Sequence, residues 1–195
     1  MNNYSALSRV MHKQFLSNGE ILNFSINRIK EKSINLDFNS LQHIFITGLA
    51  RAGTTALLQS IDSTHIFGSL RYKYMPFILI PKLATLYTKY FNKNDRKEVE
   101  RMHADGLKIS SNSPECLDEP YWINTIYNSL SFDKSLTPHE IDEQIAKGYG
   151  YLLNSISNIE NKKRLVIKNN NNHLRLISLS QFFPQSKFIV VFRSP

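Results

Sequence analysis

With Cys116 its only cysteine, the chain has no internal disulfide to form and no CxxC pair to seed a metal cluster, so a reducing, cytoplasmic setting is expected. Long apolar runs are also missing. The opening stretch MNNYSALSRVMHKQFLSNGE is interrupted by Arg9, His12 and Lys13 before it reaches signal-peptide length, and PFILIPKLATLY is broken by Pro81 and Lys82. No segment is therefore expected to span a bilayer. Acidic residues are scarce: 16 Asp and Glu against 24 Lys and Arg give a formal charge of +8. The basic residues are spread out, with short runs at NKNDRK (92–97) and NKKR (161–164). These read as solvated faces, so nucleic acid is not the expected partner, and the balance suits an enzyme whose cofactor is a small polyanion.

At 42% hydrophobic residues the chain can bury the core of one domain. HIFITG (43–48) reads as a buried strand feeding a glycine-rich turn, after which Ala56, Leu57, Leu58 and Ile61 continue as a helix from Thr54. HIFGSL (65–70) reads as a short strand, with an apolar helix following Pro76 as far as Phe91. DRKEVERMHADG reads as a helix capped at Asp95 and stopped at Gly106. Pro138 is expected in the first turn of a longer helix ending near Ile159. RLVIK then reads as strand, NHLRLISLSQFF as helix and KFIVVF as strand. Ahead of all this, Leu7, Val10, Met11, Phe15, Leu22, Ile26 and Ile29 suggest two short helices separated by SNGE. Alternating strands and helices predict an α/β domain with a parallel sheet between helical layers. There is no repeat, linker or second domain, and the asparagines at 169–172 read as a loop and helix cap.

The most informative stretch is FITGLARAGTTALLQ (45–59). Gly48 and Gly53 have the spacing of a GxxxxGK[ST] phosphate loop, but Thr54 stands where the lysine belongs, and no strand ends in the aspartate that would complete a magnesium site. The loop keeps the N–H groups of Gly53, Thr54 and Thr55 at a helix start, two hydroxyls and the fixed charge of Arg51. A smaller and less highly charged anion, held without metal, fits this chemistry better than a nucleoside triphosphate.

LARAGTT resembles the 5'-phosphosulfate-binding loop of the sulfotransferases, and IKNNNNHLRLISLSQFFPQSKFIVVFRSP is similar to the later block of that family. The resemblance runs from about Ile44 to Pro195 and implies a three-layer, P-loop-like domain. It further implies 3'-phosphoadenosine 5'-phosphosulfate (PAPS) as co-substrate, no metal, and a small-molecule, glycan or lipid acceptor. Residues 1–40 would be a helical lead-in and 41–195 the PAPS-binding domain. That domain would be truncated, because the family continues past Arg-x-Pro with a serine that completes the 3'-phosphate site. Arg51, Ala52, Gly53, Thr54 and Thr55 would hold the 5' end of the donor and Arg193 its 3'-phosphate, with Arg51 and Lys168 stabilising the transferring group. The related tyrosyl-protein enzymes place a catalytic glutamate about twenty residues past the loop, where this chain has Arg71, Tyr72 and Lys73. The base is then sought among His103, Asp105, Glu115, Asp118 and Glu119. A metal pair of His103 and Asp105 has no third ligand nearby in sequence. Tyr121 and Trp122 read as core or as an acceptor platform. Two other classes remain open: a nucleotide kinase or NTPase with a degenerate loop, dependent on ATP and magnesium, and a non-catalytic remnant.

Overall fold

The run IFITG forms strand β1 (Ile44–Gly48), four of its five residues buried, in a computed structural model that describes residues 15–16, 18–91, 99–100, 108–126 and 138–193. Strands covered on both faces read as unbroken apolar runs, and LVIK is another, forming β5 (Leu165–Lys168) with every residue buried. Together with β2 (Gly68–Ser69) and β6 (Lys187–Val191) they make a parallel sheet of order β2-β5-β1-β6.

Side chains alternate across this sheet. Phe45, Leu165 and Ile167 join a cluster with Tyr149, Leu152, Leu153 and Phe183, whereas Ile46 and Val166 pack on the other face with Leu58. The first face is covered by α5 (Glu143–Ile159), α1 (Gly19–Lys32) and α6 (Leu176–Phe182), and the second by α2 (Thr54–Asp62). Withdrawing each large apolar side chain from water contributes about 1.5–3 kcal/mol, so these two interfaces set the three-layer order. α3 (Pro81–Phe91) and α4 (Glu119–Ile126) are the remaining longer helices among the described residues. Among the described residues no helix is long and apolar enough to cross a membrane.

Local chemistry sets the boundaries. In SNGE, the Asn18 carboxamide oxygen accepts the N–H groups of Glu20 and Ile21 at 3.0 and 3.2 Å, so this break is the N-cap of α1. The preceding helix expected from Ala6 lies mostly outside the described residues. α5 begins later than Pro138 suggests, because Asp142 is its cap, its carboxylate accepting the Ile145 N–H at 2.7 Å. The helix runs unbroken through its glycines; a Cβ at Gly148 would strike the Tyr121 hydroxyl, so that residue permits close helix packing. α3 starts at Pro81 rather than just after Pro76, using proline where its missing N–H costs nothing.

Two further expectations are corrected. The stretch 95–106 is not all helix: β3 (Val99–Glu100) pairs antiparallel with β4 (Lys108–Ile109). Cross-strand pairing there overrides a helical pattern whose predicted cap, Asp95, and stop, Gly106, lie outside the described residues. The segment after β5 is also not one helix, because Arg175 (φ −107°, ψ 1°) divides a 3-10 turn (Asn170–Leu174) from α6.

Candidate active site

β1 leaves the sheet at its C-terminal edge, where open α/β sheets bind ligands. A Cβ at Gly48 (φ 152°) would run into the Val191 carbonyl of β6, so the chain can turn there only over a glycine. The Ala52 N–H closes the turn on the Leu49 carbonyl at 3.2 Å, while Arg51 (φ 69°) and Gly53 (φ 98°) take left-handed backbone. Gly53 caps α2, and the Leu57 N–H bonds its carbonyl at 3.0 Å, so the N–H groups at the helix start lack intrahelical partners. A Cβ on Gly53 would meet no described atom within 4 Å, so glycine is favoured there by its left-handed φ rather than by crowding. Arg51 is exposed on the loop, Ala52 and Thr55 are half-buried, and Thr54 is buried with its hydroxyl donating to Asn170 Oδ1 at 3.1 Å.

Lys168 ends β5 opposite Ile46, two residues before Gly48. It is buried, and its Nζ donates to Glu115 Oε1 at 2.9 Å. Glu115 is buried as well, positioned by its own N–H on the Leu70 carbonyl (3.0 Å) just past β2, while its Oε1 also accepts the Cys116 N–H (3.0 Å). The candidate base from SPECLDEPYW and the candidate lysine from RLVIK thus meet beside the loop.

The other two acids of that stretch are engaged elsewhere. Asp118, fully buried, accepts from Trp122 Nε1 (3.1 Å), the Tyr149 hydroxyl (2.7 Å) and Asn169 Nδ2 (2.9 Å). Burial raises its carboxyl above the usual range against the pull of the Tyr149 bond. Glu119 accepts from Arg175 Nη2 (2.9 Å), Asn169 Nδ2 (2.7 Å) and Asn171 Nδ2 (3.1 Å). Burial alone would raise Glu119, but these bonds outweigh it and hold the carboxyl low. Tyr121 and Trp122 are fully buried, so they are core rather than an acceptor platform, and the Arg175 guanidinium lies 4.8 Å over the Trp122 ring. Arg193 follows β6, exposed, two residues beyond Val191, which pairs with Gly48. His103 and Asp105 lie outside the described residues. Asn169 and Asn170, which bind the site together, were read from sequence only as loop and cap. The available signal was their position directly after the strand-ending lysine.

Residues 43–195 match the sulfotransferase family, and the chain belongs to it. No curated protein matches the sequence at significance. Among solved structures, the fold is similar to sulfotransferase STF1 from Mycobacterium tuberculosis, with a TM-score of 0.50 and 18% identity. That match covers 97% of this chain and 56% of the mycobacterial one, so the chain spans little more than half the length of that enzyme.

Proposed function

We propose that this chain carries the donor site and catalytic pair of a PAPS-dependent sulfotransferase acting on a hydroxyl or amine of a small-molecule, glycan or lipid acceptor. The observation that carries this reading is the buried contact between Lys168 and Glu115, 2.9 Å long, beside an N–H cradle that lacks the lysine of a triphosphate loop. The residues fit the donor: α2 starts after left-handed Gly53 with Thr54 and Thr55 in its first turn, and the exposed Arg51 precedes it on the loop.

When bound, the donor supplies a sulfuryl group attached to a phosphate that can leave. The N–H groups of Gly53, Thr54 and Thr55 hold that phosphate, with Arg51 countering its charge. Lys168 has three N–H donors and, among the described residues, one hydrogen-bond partner, so it can reach sulfuryl oxygens while still bonded to Glu115. Glu115 takes the proton of the acceptor hydroxyl. Arg193, at the end of the neighbouring strand, grips the 3'-phosphate with its guanidinium fork. A sulfuryl group has less charge to neutralise than a phosphoryl group, so side-chain cations can replace magnesium.

The test compares melting of the chain with adenosine 3',5'-bisphosphate and with ATP plus magnesium. The bisphosphate should stabilise without metal, by about 2.7 kcal/mol at a hundred times its dissociation constant. Equal or greater stabilisation by ATP with magnesium would favour the kinase reading instead.

A further inference from the structure

Asn170 is a half-buried residue two positions past Lys168, and its backbone is pinned. Its carbonyl accepts the Thr47 hydroxyl from β1 at 3.1 Å and the His173 Nδ1–H from the same 3-10 turn at 2.6 Å. Its side chain is not pinned in the same way: Oδ1 accepts the one proton of the Thr54 hydroxyl at the foot of the cradle. A threonine hydroxyl has a single proton, so while it is directed at Asn170 it cannot be directed at a ligand.

We propose that Asn170 is a further residue of the donor site, which controls whether the Thr54 proton points back into the protein or out to a bound phosphate. The inference rests on the reading of the loop as a phosphosulfate cradle. An asparagine amide has an acceptor end and a donor end, exchanged by a half-turn about its last side-chain torsion, which is broad and roughly two-fold. In the empty cradle Thr54 donates to Oδ1. In the loaded cradle the amide turns, Nδ2–H donates to Thr54 Oγ1, and the hydroxyl proton goes to a phosphate oxygen. The backbone stays where Thr47 and His173 hold it.

This arrangement distinguishes two replacements of similar size. Aspartate accepts but does not donate when ionised, so it keeps the Thr54 proton and adds a negative charge beside the anion. Leucine neither accepts nor donates, and leaves the proton to the ligand. Calorimetric titration of the full chain with adenosine 3',5'-bisphosphate should show Asn170→Asp weaker by at least ~30-fold and Asn170→Leu, which loses only the supporting bond to Thr54, weaker by less than about tenfold. In a Thr54→Val background, with no proton to redirect, the aspartate penalty should shrink to less than about tenfold. The role is overturned if Asn170→Asp binds within about threefold of wild type, or if the penalty is equal in both Thr54 backgrounds. It is also overturned if Asn170→Leu loses as much as Asn170→Asp, the result a merely structural contact would give. Absence of binding by wild type would defeat the donor reading itself, and with it the role given to Asn170.

Discussion

Two ion-pair centres are carried by adjacent strands, one just past β2 and one at the end of β5, and they are built differently. Arg71, just past β2, grips Asp62 through Nη2 and Nη1 at 2.8 and 3.0 Å, Glu160 through Nε at 2.8 Å, and the Asn112 carbonyl at 2.6 Å. Glu160 in turn accepts from Lys73 at 2.8 Å and from the Tyr74 hydroxyl. Asp62 is the last residue of α2 and Glu160 the C-cap of α5, so this centre fastens helices on opposite faces of the sheet to the strand edge. Lys168, one strand over, makes one side-chain hydrogen bond among the described residues, to Glu115. The contrast separates a cation saturated by fixed partners from one that keeps donors in reserve, as the proposed role of Lys168 requires. Arg71 directs donors to four described oxygens in fixed directions, whereas Lys168 retains donor capacity beside an anion cradle.

The sharpest way to break the comparison is at Glu115. Glu115→Gln keeps an oxygen for Lys168 and removes the proton acceptor, so turnover should fall by about 10²–10⁴ while affinity for adenosine 3',5'-bisphosphate holds within about threefold. Steady-state kinetics with a labelled donor and calorimetry on the same preparation check both numbers. Turnover near wild type would remove Glu115 from the chemistry.

Arg71→Ala should do the reverse. Removing the guanidinium leaves the Asp62 and Glu160 carboxylates part-buried without it, at a cost of about 3–5 kcal/mol in stability. For a chain of this length that is a fall of about 10 °C in melting temperature, with turnover per folded molecule unchanged. Denaturant melts and active-site titration separate the two. A large loss of turnover in the folded fraction would mean that the Arg71 centre belongs to the site.

Part of the fold and of the candidate site was legible in the sequence, for identifiable physical reasons. β1, β5 and the glycine turn announce themselves because apolar runs buried on both faces and a crowded backbone restrict which residues fit locally. Lys168 was singled out by the resemblance to the sulfotransferases' later block, in which a lysine ends a strand. Glu115 was named beside His103 as a candidate base, but the contacts that set it apart from Asp118 and Glu119 were not legible. All three acids lie within five residues, and what separates them is contact with Lys168, Tyr149 and Arg175 from elements far along the chain. Arg71 likewise drew notice only as a non-acid in the place of one, because its partners lie 9 and 89 residues away. The β3–β4 pair was missed since two-residue strands leave almost no periodicity to read.

Acid titration sharpens the comparison by assigning pH sensitivity to the structural side of the molecule, and it proceeds in two stages. His43 is fully buried below β1 and its Nδ1 accepts the Leu165 N–H at 3.2 Å, a bond that requires the neutral ring. Burial first, and the nearby Arg164 second, lower its pKa from 6.5 to about 4. The unfolded chain therefore binds the extra proton earlier. The His43 contribution is fully present above the unfolded value and is lost as pH falls from 6.5 toward 4, about 3 kcal/mol in all. A second stage comes from Glu160. Burial would raise its carboxyl, but the bonds from Lys73, Tyr74 and Arg71 outweigh it and hold the group low, so its contribution is lost as pH falls below the ordinary carboxylate range. Glu119, also held low, adds to this stage, whereas Asp118, raised by burial, recovers stability on acidification and can produce neither. Urea melts at half-unit intervals from pH 7 to 3 should show His43→Gln reducing the first stage only, since His139, also lowered by burial, keeps a share of it, and Glu160→Gln reducing the second only. If Glu160→Gln leaves the lower stage intact, the Arg71 centre does not hold its carboxylate in the ionised form, and the distinction drawn between the two centres fails.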